Sequence, residues 1–351
     1  SGEFERVMDL AMEAADWSGF AARRAASEKG GKLRGIGMAT YTERCGGGFP
    51  ETASIEFKEN RIELVMGNID YGTGLITAYK QVVADRLGVD PRRIDVIMGD
   101  TDRTPQGLTG GSRALPVAGS ALFEASAEVI DKGRQIAAHL LEAAAADVQF
   151  EEARFFVPGT DLTLDLFDVA QAAGDPAKLP PGMTPGLNVT KHRVPEAATF
   201  PNGCHITEVE IDPETGVVTI DRYTIVDDFG RTINPIMLEG QVHGGVVQGI
   251  GQALLEHTVY DSSSGQLLTG SFMDYAMPRA DDLPSFSFAT HNVWCKANPL
   301  GVKGAGAAGA VGAPPAIINA VVDALHKKTG LRHIDMPATP RRVWEALQAG
   351  R

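Results

Sequence analysis

The sequence predicts an α+β fold of two similar α/β lobes with mixed sheets, and three observations predict it. The 351 residues are more than one compact core usually holds. Each half carries a pair of strand-like segments followed by a helix-like one. The 40 glycines are gathered at Gly46–Gly48, Gly72–Gly74, Gly107–Gly111, Gly240–Gly251 and Gly301–Gly312, each cluster bordering an apolar segment. That pattern fits loops whose backbone must approach something closely.

Along the chain, residues 1–33 read as a helix and a charged connector, Phe4 to Gly31. Residues 34–200 are expected to form the first lobe. A strand opens at Arg34, and Ser54–Lys58 and Arg61–Met66 alternate around Glu59-Asn60 as a hairpin. Leu75–Leu87 carries helical spacing and stops at Gly88. A short strand at Ile94 and a long Ala- and Leu-rich helix from Leu115 to Ala146 follow. Residues 150–200, broken by Pro and Gly, are expected to link the lobes. Residues 201–351 are expected to form the second lobe. Its hairpin joins Cys204–Ile211 to Val217–Val226 through Asp212-Pro-Glu-Thr-Gly216. A helix from Pro235 to Leu255 is capped by Asn234, with Pro235 at its first position. A strand at Phe286–Val293 and helices over Ala313–Leu325 and Asp335–Ala349 complete the reading.

Composition limits the function classes. The net charge of −13 argues against a nucleic-acid partner. No apolar run reads as the ~20 residues of a membrane helix. The first residues, Ser1-Gly-Glu-Phe-Glu-Arg6, show no secretion signal, and a start without Met fits an excised or processed piece. Cys45, Cys204 and Cys295 lie far apart and in no metal-binding spacing, so they read as structural thiols. They suit a reducing compartment. A cytoplasmic location is expected, with the periplasm left open.

Known phosphate-binding patterns fit the glycine loops only in part. Gly304-Ala-Gly-Ala-Ala-Gly309 has the literal spacing GxGxxG. Pro299 and Gly301 in the preceding residues spoil the central strand that a dinucleotide fingerprint needs. No GxxxxGK[ST] is present, which excludes a P-loop. Gly72-Thr-Gly74 and Asn234-Pro235 open helices, whose N-termini suit phosphate or pyrophosphate. Thr109-Gly-Gly-Ser-Arg113 adds a hydroxyl and a guanidinium. Four such loops in one chain favour an anionic cofactor over ordinary turns.

Four motifs in order then resemble the large subunit of the molybdenum hydroxylases, the family of xanthine dehydrogenase, aldehyde oxidase and carbon monoxide dehydrogenase. They are Gly99-Asp-Thr-Asp with Thr109-Gly-Gly-Ser-Arg, Pro201-Asn-Gly through Glu208-Val-Glu, Asn234 through Gln252, and Asn298-Pro-Leu-Gly-Val-Lys-Gly-Ala-Gly through Ala324. The resemblance implies the molybdenum cofactor-binding fold of that family and the C-terminal half of the subunit. It implies molybdopterin with molybdenum, as the cytosine dinucleotide. It also implies hydroxylation of an aldehyde or N-heterocycle, or oxidation of carbon monoxide, with oxygen from water. Expected partners are the N-terminal half of the large subunit, an iron–sulfur subunit with [2Fe–2S] clusters, an FAD subunit and a small-molecule substrate, in a hetero-oligomer.

Carried over residue by residue, the family's GQG loop falls on Gly72, Thr73 and Gly74, with threonine in place of glutamine. The GGS segment falls on Gly110, Gly111 and Ser112, with Arg113 and Ala114 next, and is expected to run along the cofactor. Gln241 falls on a glutamine that touches the pterin. His243 is expected to be structural, with a supporting donor role as the alternative. The family's catalytic glutamate falls on Ala307. That carboxylate takes a proton from the attacking hydroxyl at molybdenum, and alanine cannot. An engineered change, a natural loss of activity and a base supplied by the absent half are all open, so an inactive relative or an assembly module is the alternative function.

Overall fold

A computed structural model describes residues 1–349. In chain order the elements are α1 (Phe4–Ala14), α2 (Phe20–Lys29), β1 (Leu33–Thr42), β2 (Glu51–Lys58), β3 (Arg61–Met66), α3 (Leu75–Leu87), β4 (Ile94–Ile97), α4 (Ser120–Leu140), β5 (Gln149–Glu151), β6 (Arg154–Phe156), β7 (Thr163–Asp165), α5 (Leu166–Ala172), β8 (Val189–Arg193), β9 (Asn202–Ile211), β10 (Val218–Asp228), α6 (Pro235–Leu254), β11 (Phe286–Thr290), α7 (Ala308–Thr329) and α8 (Pro340–Ala349). They form two compact units. One contains residues 1–44, 200–293 and 305–351, the other residues 45–199 and 294–304.

The first unit holds a mixed sheet in the order β1-β9-β10-β11, with β10 and β11 parallel and the other pairs antiparallel. The strand β9 is buried on both faces, which explains its near-continuous burial. Cys204, Ile206 and Val226 pack against Val7, Ala11 and Ala15 of α1. Val209, Ile211 and Ile225 join the core formed with α6, α7 and α8. Side chains at Gly35 or Gly37 would overlap the α7 backbone at Ala320 and Ala316, so α7 lies directly on β1.

The second unit holds a mixed sheet in the order β4-β3-β2-β8, again with one parallel pair, β3 and β4. Helices α3 and α4 pack against this unit's strands. The inward face of β2 alternates as Glu51, Ala53 and Ile55. A small antiparallel sheet, β5-β6-β7, completes the unit.

The lobe boundaries differ from those expected from the sequence. Pairing of β1 with β9 draws residues 1–44 into the unit of the second hairpin, and residues 294–304 belong to the other unit. Residues 150–200 are not merely a linker, because β8 pairs with β2 and closes the sheet edge. The first helix is broken at Asp16, whose φ is 49°. A π-helical turn at Leu115–Gly119 precedes α4. Helix α7 begins at Ala308, five residues before the expected start, and carries Pro314 and Pro315 inside it. By length and composition α7 could cross a membrane, but 61% of its apolar window is buried in the core. All three cysteines are free and buried, as expected of structural thiols. Burial, reinforced by Asp227, pushes the Cys204 thiol up to about 12.

Candidate cofactor-binding loops

Within the second unit, Gly72, Thr73 and Gly74 lead into α3, but their donors face inward to Asp70. Its Oδ1 accepts from the N–H groups of Gly72 (3.0 Å), Thr73 (2.9 Å) and Gly74 (3.1 Å), and from the Thr73 hydroxyl (3.2 Å). Its Oδ2 accepts from the N–H of Ile76 at 3.1 Å. Burial acts to raise the Asp70 pKa, yet these backbone bonds outweigh it and hold the carboxyl below its ordinary range. The chain's own carboxylate therefore fills the anion position expected at this helix N-terminus. The loop still meets the next one, because Thr109 Oγ1 bridges the N–H and carbonyl of Ile69 and the Tyr71 hydroxyl donates to the Thr109 carbonyl.

Gly110, Gly111 and Ser112 form the second loop. Gly111 and Ser112 both take left-handed φ values, 59° and 51°. Glycine adopts that conformation freely, whereas serine is strained in it. Gly46 N–H donates to the Gly111 carbonyl at 3.0 Å. A side chain at Gly304 would overlap the Ser112 carbonyl and lie 2.7 Å from the Cys45 side chain, so residues 298–304 close the loop from another side. Asn298 braces that segment by bonding both the N–H and the carbonyl of Val302.

Arg113 does not offer its guanidinium to an external phosphate, as the sequence suggested. Its side chain is 3% exposed and pairs with Glu51, which is 0% exposed. It also donates to the Phe49 and Leu108 carbonyls. Leu108 N–H donates to the same Glu51 oxygen at 3.1 Å. Burial pushes the Glu51 carboxyl up, with the Leu108 N–H and Arg113 pulling the other way. Ala114 is buried, and its carbonyl accepts from the Tyr79 hydroxyl at 3.3 Å.

In the first unit, Gln241 lies half-buried on α6. The N-terminus of α6 is satisfied by Asn234, which accepts from Met237 N–H at 3.0 Å. A side chain at Gly309 would overlap the Val242 carbonyl, so the first turn of α7 sits beside the residue following Gln241. Ala307 is the N-cap of α7. That helix end has no side-chain cap and no acidic residue in its first turn. Both helix ends proposed from sequence to receive an anion, those of α3 and α6, are already satisfied, by Asp70 and by Asn234. His243 lies beside Phe286 and Phe288, with ring centroids 5.1 and 6.2 Å away, which supports the structural reading.

The GxGxxG reading fails on context, because residues 291–303 form no strand before the glycines. Sequence reasoning missed Asp70 and Glu51. It also missed a buried trio on the sheet, in which His205 Nδ1 lies 2.9 Å from the Tyr223 hydroxyl and Nε2 lies 3.5 Å from Asp227. Only the position of Asp70, two residues before Gly72, carried a usable signal, since Asp caps turns of this kind.

The profile of a molybdopterin cofactor-binding domain matches residues 10–284. The carbon monoxide dehydrogenase large chain of Hydrogenophaga pseudoflava is 36% identical over 99% of this chain and 45% of its own length. The nicotine 6-hydroxylase large subunit of Paenarthrobacter nicotinovorans is 35% identical over 99% of this chain and 44% of its own. Quinoline 2-oxidoreductase from Pseudomonas putida 86 superposes with a TM-score of 0.92 at 30% identity, over 99% of this chain and 46% of that one. The chain thus spans less than half the length of these relatives.

Proposed function

Because the chain belongs to the molybdopterin cofactor-binding domain family, we propose that it is the C-terminal cofactor-binding part of a molybdenum hydroxylase large subunit. One observation carries the reading: a single continuous match to such subunits covers 99% of the chain. The cofactor is molybdopterin with molybdenum, in its cytosine dinucleotide form. The substrate is an aldehyde, an N-heterocycle or carbon monoxide. The remaining half of the large subunit, an iron–sulfur subunit carrying [2Fe–2S] clusters and an FAD subunit complete the hetero-oligomer. Free, buried cysteines favour the cytoplasm.

The residues present fit an anionic cofactor at the Gly110–Gly111 backbone. Among the described residues, nothing occupies the space of an added side chain at Gly110 and Gly111, apart from Leu108 at 3.8 Å from Gly110. A dinucleotide can therefore approach that backbone. When bound, the cofactor supplies two-electron oxidation of carbon with oxygen from water. Gln241 would orient it through its amide, and the Gly72–Gly74 loop would support the neighbouring Thr109 segment. Molybdenum and pterin analysis of the complete enzyme tests the reading. Stoichiometric molybdenum is expected, and an assembled complex lacking both metal and pterin would reject it.

Ala307 favours a second reading, an inactive relative. A methyl group cannot accept a proton, and residues 297–318 contain no Asp, Glu or His. General-base help is worth ~10²–10⁴-fold, so Ala307→Glu is expected to raise turnover of the complete enzyme by about that factor. Steady-state rates with aldehyde and N-heterocycle substrates measure it. Fast wild-type turnover that Ala307→Glu leaves unchanged would remove this reading.

A further inference from the structure

The Arg113 side chain turns into the protein, and Glu51 is what it meets. Two buried charges are costly unless their geometry is good and their remaining atoms are bonded. Here the guanidinium reaches Glu51 and two carbonyls, Phe49 and Leu108, which lie on separate segments. Glu51 in turn accepts from Leu108 N–H, so one carboxylate oxygen ties both ends of residues 108–113. The same carboxylate occupies an inward position of β2, in line with Ala53 and Ile55, and is therefore anchored on a strand and not on a loop. Among the described residues, the second Glu51 oxygen and Arg113 Nε are buried without a hydrogen-bond partner.

What the pair encloses is the strained turn. Ser112 keeps a left-handed φ of 51° immediately before Arg113. A non-glycine residue persists there only when its surroundings over-determine it, and such strain gathers at ligand clamps. Gly46 holds the Gly111 carbonyl, and the backbone at Gly304 covers the Ser112 carbonyl. Arg113 holds the next residue. A π-helical turn follows at once, with Val117 N–H donating to the Arg113 carbonyl at 3.0 Å.

We infer that the buried Glu51–Arg113 pair is a positioning brace that fixes the Gly110–Ser112 backbone in its cofactor-receiving conformation. The inference rests on the function proposed above. Arg113 acts through the loop and not by touching the cofactor. Lysine at 113 would keep the charge but lose the fork that reaches three partners at once.

The test compares Glu51→Gln, Arg113→Lys and the apolar double variant Glu51→Leu/Arg113→Met. Amide hydrogen exchange of residues 108–114 is measured in the cofactor-free chain, together with thermal unfolding. Molybdenum and pterin retention after gel filtration is measured in the complete enzyme. Both single variants are expected to speed exchange at 108–114 by about tenfold or more and to lose cofactor faster than wild type. Replacing a buried ion pair by apolar groups commonly restores stability. The double variant is therefore expected to recover the wild-type unfolding temperature, yet to keep fast exchange and poor retention. Recovery of stability, exchange and retention together would make the pair purely structural and overturn the brace. Wild-type exchange in Glu51→Gln would overturn it as well. A wild-type enzyme without molybdenum or pterin would instead reject the proposed function. The brace on the loop would then stand or fall on the exchange result alone.

Discussion

Asp70 shows how one residue can close a site that a motif advertises. Glycines before a helix look like a phosphate cradle, and the N–H groups of Gly72–Gly74 do converge on a carboxylate, but it is the chain's own. Asp70 is held below the ordinary carboxylate range in the folded protein, and that fixes the sign of its linkage to stability. Its contribution is fully present above the unfolded pKa of ~3.9. It is lost as pH falls through the lower folded value. Asp70→Ala removes a helix-capping acceptor, which typically costs about 1 kcal/mol. The loss is expected at pH 7 and should shrink as the acid limb is descended. Urea unfolding at several pH values checks this, and equal stability of the two proteins at pH 7 would refute it. At this scale the sequence was only partly legible. Ala307 and Gln241 were placed by resemblance, and they fall at the N-cap of α7 and on α6. Arg113 was misread, because a guanidinium beside two glycines looks like a phosphate ligand until its buried partner is known. Glu51 was invisible, since an acidic residue after Phe49-Pro50 reads by default as solvated.

Elements were more legible than their ends. Helix α3 was bounded by Gly88, whose left-handed φ of 66° stops it, and hairpins β2–β3 and β9–β10 followed from alternation and turn chemistry. Helix α7 was the instructive miss. Proline favours the first turn of a helix, so Pro314 and Pro315 suggested a start at Ala313. The observed helix begins earlier because its first turn packs on α6 at Gly245, where an added Cβ would lie 3.0 Å from Gly309 Cα and Ala310 N. Tertiary packing here outweighs the bonds that two prolines delete. The same reasoning accounts for residues 150–200. Short strands such as β5, β6 and β7 contain three residues each, too few to show a period, and β8 gains its identity only from pairing with β2. That early α7 start is what places Ala307 at a helix N-cap.

The two units repeat one topology, which the whole sequence hinted at without any detectable repeat. In each, an antiparallel hairpin is followed by a helix and by a strand parallel to the hairpin's second member, and then by a long helix. One series is β2, β3, α3, β4, α4, and the other is β9, β10, α6, β11, α7. An outer strand from elsewhere in the chain, β8 or β1, pairs with the first hairpin strand. The loops entering the two long helices are thus equivalent, and they are the Gly110–Ala114 and Gly304–Ala307 segments. Each unit has its own sheet and its own buried side chains, so each should unfold as a cooperative body, and a single two-state transition is not expected. The tryptophans can separate them, because Trp17 and Trp344 belong to the first unit and Trp294 to the second. Gly249→Ala sets a Cβ 2.7 Å from Ala313 Cβ and 2.9 Å from Pro314 Cδ, an overpacking that typically costs 1–3 kcal/mol. It should lower the urea midpoint seen by Trp17 and Trp344 and leave that of Trp294 in place, while Asp70→Ala should do the reverse. Against this, the chain passes between the units four times, after residues 44, 199, 293 and 304, which favours coupling. Fluorescence of variants retaining Trp294 alone, or Trp17 and Trp344 alone, decides between the two. If both substitutions shift both midpoints equally, the units unfold as one body and the repeated topology confers no separate stability.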